Sequence, residues 1–257
     1  MLDNITILLL VSRNDFLERI LTSIELLECN NMKTSLIVIV DGDNKLFLDV
    51  RNVVEFSKYD QSICIQYKSK EKKSQFDVMQ RRKRISAIHN FAKEYINDNG
   101  LIMGIEDDTI VPHDALIKMH KEYIYNNHIG FIQGIELGRW GIPYLGAWLV
   151  NDIYDTTSIK STLLLEGIHE VDAGGFYCFM TRTDTYLNHT FKPFENNDLG
   201  PDVDFGITLR RNGLINYTDY SIKCIHLDKD KELIIGKEDI QIVNLIKADN
   251  RWRQNRI

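Results

Sequence analysis

Apolar runs that alternate with helical patterns limit this chain to few architectures. ITILLLV (5–11) and SLIVIV (35–40) are near-continuous β-branched and leucine stretches, the pattern of strands covered on both faces. SICIQY (62–67) and LIMGI (101–105) are shorter versions of the same signal. Between them, SRNDFLERILTSIELLEC sets Phe16, Ile20 and Ile24 on one stripe with Leu17 and Leu21 beside it, as an amphipathic helix requires. Residues 77–97 carry the longest helical pattern, with Met79, Ile85, Ile88, Ala92 and Tyr95 at helical spacing and Asn99-Gly100 as the stop. A further helix is predicted from Pro112, because a proline at the first helical position has no N–H to leave unsatisfied. DGDN after the second run reads as a turn. The order strand, helix, strand, strand, helix, strand, helix predicts an α/β domain whose central sheet is mostly parallel and flanked by helices.

The texture changes after residue 128. GFIQGIELGRWGIPYLGAW is rich in glycine and aromatics without a clean period, and EVDAGGFYCFMTR reads as a strand approached through a double glycine. DVDFGITLRRNG reads as a short helix capped by Asn212-Gly213. YSIKCIHL (220–227) is expected to be the last strand, and KEDIQIVNLIKADNRWRQNRI a terminal helix with a basic end. With only four prolines and no Ser- or Gly-rich tract in 257 residues, no linker announces itself. One domain is expected over residues 1–230, followed by a helical appendage over 231–257.

The formal net charge of −6 argues against general nucleic-acid binding, which wants a basic face. Four cysteines, Cys29, Cys64, Cys178 and Cys224, stand far apart without a C-x-x-C and read as thiols of a reducing compartment. Asp3 and Asn4 interrupt any signal-peptide pattern at the start, and no apolar run approaches the span of a bilayer. The expected setting is cytoplasmic, with RWRQNRI as a candidate contact with anionic lipid at a membrane periphery.

GIEDDTIVPHDAL (104–116) carries most of the chemistry. Glu106, Asp107 and Asp108 raise one another's pKa unless something positive sits among them. A parallel sheet places ligands at the carboxyl ends of its strands. Asp41 follows the second strand and the acid run follows the fourth, so both belong to that rim. Side chains at i and i+2 of an extended segment point the same way, so Glu106 and Asp108 are expected to face one site and Asp107 another. Asp108 is the first choice as a direct ligand, and oxygen donors without thiolates suit Mg²⁺ or Mn²⁺ bridged to phosphates. The competing reading is a wet acidic turn ahead of a helix.

His226 ends the apolar SIKCI and is a candidate second ligand. Asp202 either caps the helix it opens or, like Asp204, faces the crevice to accept a proton from a hydroxyl. RRKR (81–84) is by default a solvated cluster, yet Arg84 and His89 are candidates for diphosphate oxygens. Trp140, Tyr144 and Trp148 offer a platform for a sugar face or simple packing. Gly174 and Gly175 admit a close sugar or phosphate, or serve a tight turn. There is no P-loop, no G-x-G-x-x-G after the first strand and no G-x-S-x-G, which removes the usual support for kinase, GTPase, dehydrogenase and hydrolase readings.

In order and spacing these segments resemble the nucleotide-sugar glycosyltransferases of the GT-A fold, closest to family 2. LLLVSRNDFLERILTSIELL is similar to that family's opening strand, polar turn and helix, which implies a donor-site place for Ser12. VIVDGDN (38–44) resembles the segment whose aspartate contacts the base or ribose, a place taken by Asp41. RRKRISAIHNFAKEY leading into LIMGIEDDTIVPHDAL resembles a helix with an Arg-Asn pair, here His89-Asn90, that feeds a strand ending in the D-x-D motif. Glutamate in the first motif position departs from the pattern and leaves Asp108 as the metal ligand and Glu106 as a ribose contact. VDAGGFYCFMTRTDTY is similar to the acceptor side of the site. GPDVDFGITLRRNG resembles the late Glu-Asp motif, which puts Asp204 in the place of the inverting members' catalytic base and Asp202 beside it. His226 resembles an additional metal ligand seen chiefly in retaining members, so inversion and retention both stay open.

The resemblance covers roughly residues 5–228. It implies a single GT-A-like domain with a Rossmann-like N-terminal half, in which 1–128 binds the nucleotide sugar and 129–230 the acceptor. It implies Mn²⁺ or Mg²⁺ on Asp108 and His226, and a nucleotide-diphosphate sugar, UDP-sugar first, contacted by Ser12, Asp41, Arg84, His89, Glu106 and Asp107. The acceptor hydroxyl, on a glycan, small molecule, protein or modified nucleic acid, would meet Trp140, Tyr144, Trp148, Gly174 and Gly175. The alternatives are a sugar-phosphate nucleotidyltransferase and a non-catalytic carbohydrate- or protein-binding module.

Overall fold

Ile7, Leu8 and Leu9 of the first apolar run are at most 1% exposed, as a strand covered on both faces demands. The structure, a computed structural model, describes residues 4–55, 57–69, 77–97, 99–138, 145–154, 160–161, 166–194, 199–228 and 231–235. The N-terminal half contains β1 (Asn4–Val11), α1 (Leu17–Glu25), β2 (Lys33–Asp41), α2 (Asn44–Val54), β3 (Gln61–Tyr67), α3 (Val78–Ala92), β4 (Leu101–Glu106), β5 (Thr109–Ile110) and α4 (Ala115–Tyr125). The second half contains β6 (Ile129–Ile135), β7 (Ala147–Leu149), β8 (Lys160–Ser161), β9 (Ile168–Val171), β10 (Ala173–Gly174) and β11 (Cys178–Arg182). It ends with α5 (Thr183–Asn188), α6 (Pro201–Arg211), β12 (Ile215–Lys223), β13 (Ile225–Asp228) and β14 (Lys231–Leu233).

Among the described residues, eight strands form one sheet in the order β3-β2-β1-β4-β11-β6-β12-β9. β1 to β4 run parallel, β11 is antiparallel to both its neighbours, and β12 pairs with β6 in parallel again. The sheet is therefore mostly parallel, flanked by helices, as expected. Alternate residues feed two cores. Ile7, Leu9, Val38 and Val40 pack with α1, α2 and α4, while Leu8, Ile37 and Ile39 pack with Ile88 and Ala92 of α3 and Phe205 and Leu209 of α6. Two small sheets, β10-β7-β8 and β14-β13-β5, stand beside the large one.

Several expectations are corrected. α2 starts inside DGDN, which reads in sequence only as a turn; Asp43 caps the helix by accepting from Leu46 N at 2.8 Å, and Leu46, Val50 and Val54 form its buried stripe. β6 lies in the segment without a clean period. Pro112 stays ahead of α4, its carbonyl accepting from Ala115 N at 3.0 Å. Tyr95, placed in the buried stripe, is 36% exposed because the helix gives way to a 3-10 turn at Lys93–Tyr95. YSIKCIHL is split at Cys224 between β12 and β13. The tail opens as a strand, β14 paired with β13, rather than a helix; residues 236–257, including RWRQNRI, lie outside the described residues. No described helix is long and apolar enough to cross a membrane.

Candidate active site

A cleft of about 980 Å³ opens at the carboxyl ends of β1, β2 and β3, where this topology places ligands. Ser12, Arg13, Asp41, Asn44, Gln66 and Lys68 are among its lining residues. Asp41 ends β2 and is clasped from α3 by Arg84, whose Nε donates to Oδ2 and whose Nη2 donates to the Asp41 carbonyl at 3.0 Å. Arg84 is thus committed to Asp41 in this state. Arg81 and Lys83 of the same basic run are exposed, whereas Arg82 and Arg84 turn inward.

The acid run is positioned by strand pairing. β1 and β4 are in register with Leu10 opposite Glu106, which brings residues 12 and 13 against 107 and 108. Ser12 donates to Asp107 Oδ2 from its backbone N at 2.6 Å and from its hydroxyl at 3.0 Å. Arg13 Nη2 lies 3.3 Å from Asp107 Oδ1 and makes a short ion pair with Asp108 Oδ2. The cation that three adjacent acids call for is therefore Arg13, a residue sequence reading passed over. Its signal was the parallel pairing of the first and fourth strands, which sets one strand's exit turn beside the other's. The expected split, Glu106 with Asp108 and Asp107 apart, gives way for the same reason. The chain turns at Asp107 and Asp108, and both engage Arg13.

On its other side Asp108 meets His226. β5 and β13 pair with Thr109 opposite His226, and Leu227 N donates to the Asp108 carbonyl at 2.7 Å. Asp108 Oδ2 and His226 Nε2 are 3.5 Å apart. His226 Nδ1 is 3.1 Å from the Leu137 carbonyl, which can only accept, so Nδ1 carries a proton. Burial pulls the His226 pKa down, but Asp108 and Glu136 outweigh it and hold it above its usual value. Glu106 goes the same way for a different reason: burial, then the fields of Asp108, Asp202 and Asp107, push it up to about 8.

The Asp108–His226 donor set fits a divalent cation. A carboxylate oxygen and an imidazole nitrogen suit Mn²⁺, and their separation is close to the ~3 Å edge of an octahedral shell. Among the described residues no group of three or more His, Cys, Asp and Glu is arranged to hold a metal ion, so these two donors stand without a third protein ligand. Substrate oxygens and water would complete the shell, which is usual for Mg²⁺-type sites.

The two acids of α6 part company. Burial pushes Asp202 up to about 6, and its charge is felt by Glu106 across the crevice. Asp204 turns elsewhere: its Oδ2 is 3.4 Å from His189 Nε2, and that imidazole packs edge-on against Phe191 and Phe205 with centroids 4.8 and 4.9 Å away. The acid in the field of the acid run is Asp202.

His89 is a core residue, which corrects its candidacy for a diphosphate. It is 2% exposed, its Nδ1 lies 2.7 Å from the Tyr186 hydroxyl, and Phe176 and Phe191 pack on it at 4.5 and 4.9 Å. Burial first, then Lys93 and His189, push its pKa down to about 3. The fold accepts only the neutral ring, so this contribution to stability is complete above the unfolded value of about 6.5 and is lost as pH falls towards 3. Between pH 7 and 4.5 His89 should account for a loss of about 2–3 kcal/mol. His89→Asn should flatten the pH dependence of the urea midpoint by that amount; parallel profiles for the two proteins would refute the assignment.

The room left by Gly174 and Gly175 is filled by protein. A Cβ on Gly174 would sit 1.8 Å from Gln133 Oε1, and one on Gly175 would sit 2.4 Å from the Tyr177 ring. Gly174→Ala is expected to lower stability by about 1–3 kcal/mol through overpacking, measured by thermal unfolding; an unchanged midpoint would return this glycine to substrate. Trp148 packs against the Ala173, Val203 and Ile207 cluster. Trp140 and Tyr144 lie outside the described residues.

No protein-family model matches the sequence, and no curated protein matches it. Solved structures do. GalNAc-T7, solved with UDP, GalNAc and Mn²⁺, superposes with a TM-score of 0.64 at 9% identity, covering 88% of this chain and 44% of that one. The mannosyltransferase PcManGT from Pyrobaculum calidifontis, solved with GDP-Man and Mn²⁺, gives 0.55 at 11% identity, covering 84% of this chain and 54% of the other. The protein A197 from STIV gives 0.51 at 11%, covering 91% and 94%. The chain has the GT-A glycosyltransferase fold. At these identities the likeness is one of architecture, and the chain spans about half the length of the two transferases.

Proposed function

We propose that this protein transfers a sugar from a nucleotide-diphosphate sugar to an acceptor hydroxyl with the help of a divalent cation. The observation that carries this reading is the approach of Asp108 Oδ2 to His226 Nε2 at 3.5 Å, beside the cleft at the strand ends. The GT-A fold supports it, as do the UDP, GDP-Man and Mn²⁺ named with two of the similar structures. Residues 1–128 form the donor half and 129–230 the acceptor half of this reading. The free thiols Cys29, Cys64, Cys178 and Cys224 favour a cytoplasmic setting.

Ser12 and Asp41 line the nucleoside end, with a UDP-sugar as the first expectation. Asp108 and His226 would hold Mn²⁺ or Mg²⁺, which would supply Lewis-acid stabilisation of charge on the departing diphosphate. Arg13, released from Asp108, is placed to pair with diphosphate oxygens through its fork of donors. Asp107 holds the Ser12 turn by accepting both its donors. Glu106, whose pKa is pushed up by burial and the surrounding acids, is the contact for a ribose or sugar oxygen. Asp202 takes the acceptor's proton: at about 6 it is ionised at pH 7 yet more basic than a free carboxylate.

A panel of UDP- and GDP-sugars with Mn²⁺, read by release of nucleoside diphosphate, tests this reading. Release of UDP or GDP is the expected result. Pyrophosphate release would make the protein a nucleotidyltransferase, and absence of metal-dependent nucleotide binding would leave a binding module.

A further inference from the structure

We infer that Glu136 is a positioning residue: tied to Thr109, its carboxylate holds the His226 ring so that Nε2 faces Asp108. The inference rests on the proposed function only in taking His226 as a metal ligand. Glu136 follows β6 and is 8% exposed, a burial that a carboxylate tolerates only with partners. Its two oxygens have them. Thr109 Oγ1 donates to Oε2 at 2.9 Å, and His226 Nδ1 lies 3.6 Å from Oε1. The carbonyl of the next residue, Leu137, accepts from the same Nδ1 at 3.1 Å.

One side of the imidazole is thereby faced by consecutive residues of one loop. The Leu137 carbonyl takes the Nδ1 hydrogen bond, and the Glu136 carboxyl stands beside it at 3.6 Å, in ion-pair rather than hydrogen-bond range. Both are acceptors, so the proton stays on Nδ1 and the opposite nitrogen is presented to Asp108. The contacts close on themselves. Thr109 is the chain neighbour of Asp108 and the strand partner of His226, so Asp108, Thr109, Glu136 and His226 form a ring across three segments. Outer carboxylates of this kind fix the tautomer and aim of a ligating histidine, and losing one typically weakens metal binding about 10- to 100-fold.

Glu136→Gln keeps the shape but replaces one acceptor oxygen with an N–H donor, and Thr109→Val removes the tie. In the metal-free protein, at a pH above the raised His226 pKa where the ring is neutral, ¹⁵N spectra of labelled histidine should show the Nδ1–H tautomer for His226, with a larger Nε2–H fraction in Glu136→Gln. With UDP present, Mn²⁺ titrated by electron paramagnetic resonance should bind about 10- to 100-fold more weakly to Glu136→Gln and in the same direction, less strongly, to Thr109→Val. A purely structural role would lower the melting temperature and leave ring signals and Mn²⁺ affinity untouched, which would overturn the inference. If Glu136→Gln fails to fold, Thr109→Val gives the same two readouts. Should the wild-type protein bind no Mn²⁺ with UDP, the proposed function falls, while the metal-free spectra still decide whether Glu136 sets the ring.

Discussion

Asp108→Asn is expected to reduce sugar transfer by about 1,000-fold or more with the melting temperature within a few degrees of wild type. The magnitude comes from the role of the carboxylate. Lewis-acid stabilisation of a departing diphosphate is worth several kcal/mol, and each 1.4 kcal/mol is about tenfold in rate. Asparagine keeps the size of the side chain and an oxygen that can accept from Arg13, so the Arg13 and His226 contacts are weakened rather than emptied. Removing a negative charge beside Asp107 offsets part of that loss. Steady-state nucleoside diphosphate release, with calorimetry on the same sample, reads both halves of the expectation. A folded Asp108→Asn protein with full activity would end the metal assignment.

The second large effect separates the two acids of α6. Asp202→Asn should lower kcat by about 100- to 10,000-fold, the range of a lost general base, while leaving the fold intact. Asp204→Leu should do the reverse. The 3.4 Å contact of Asp204 Oδ2 with His189 Nε2 is an ion-pair approach rather than a hydrogen bond. It would give way to a methyl group in a buried aromatic setting, at a cost of about 1 kcal/mol and a few degrees of melting temperature. The folded fraction of that variant should keep most of its activity. If Asp204→Leu melts normally and is inactive, the roles are exchanged, as the family resemblance alone would have it.

What could be read from the sequence divides along a physical line. Strands buried on both faces, such as Ile5–Val11 and Leu36–Val40, announce themselves because nearly every position must be apolar. β6 hid because Gly130 and Gly134 interrupt its apolar run. Those glycines are there for neighbours, since a Cβ would come within 2.5 Å of Asn216 Oδ1 and 2.7 Å of Ile222 Cγ2. α2 hid behind DGDN, whose Asp43 is a cap as well as a turn residue. At the candidate site, the places of Asp41 and Asp108 were visible because polar residues ending apolar runs fall on the rim of a parallel sheet. His226 instead sits on β13 of the small antiparallel sheet and reaches Asp108 through its pairing with β5. Arg13 and Glu136 were not visible, because their partners are 95 and 90 residues away in sequence, at Asp108 and His226. His89 misled because helical spacing cannot distinguish a histidine aimed at solvent from one aimed at Tyr186.

β11 is the one strand of the large sheet's middle that runs against both neighbours, with Phe179 opposite Gly104 on one side and Gln133 on the other. Asp108 follows the end of the first neighbour and Glu136 the end of the second, so the strands that carry them stand two strand spacings apart, about 10 Å, and their side chains close that gap on His226. That makes this strand a ruler laid beneath the catalytic floor. Under the proposed function, changes to its fully buried Met180 would alter transfer without touching any of the proposed substrate contacts.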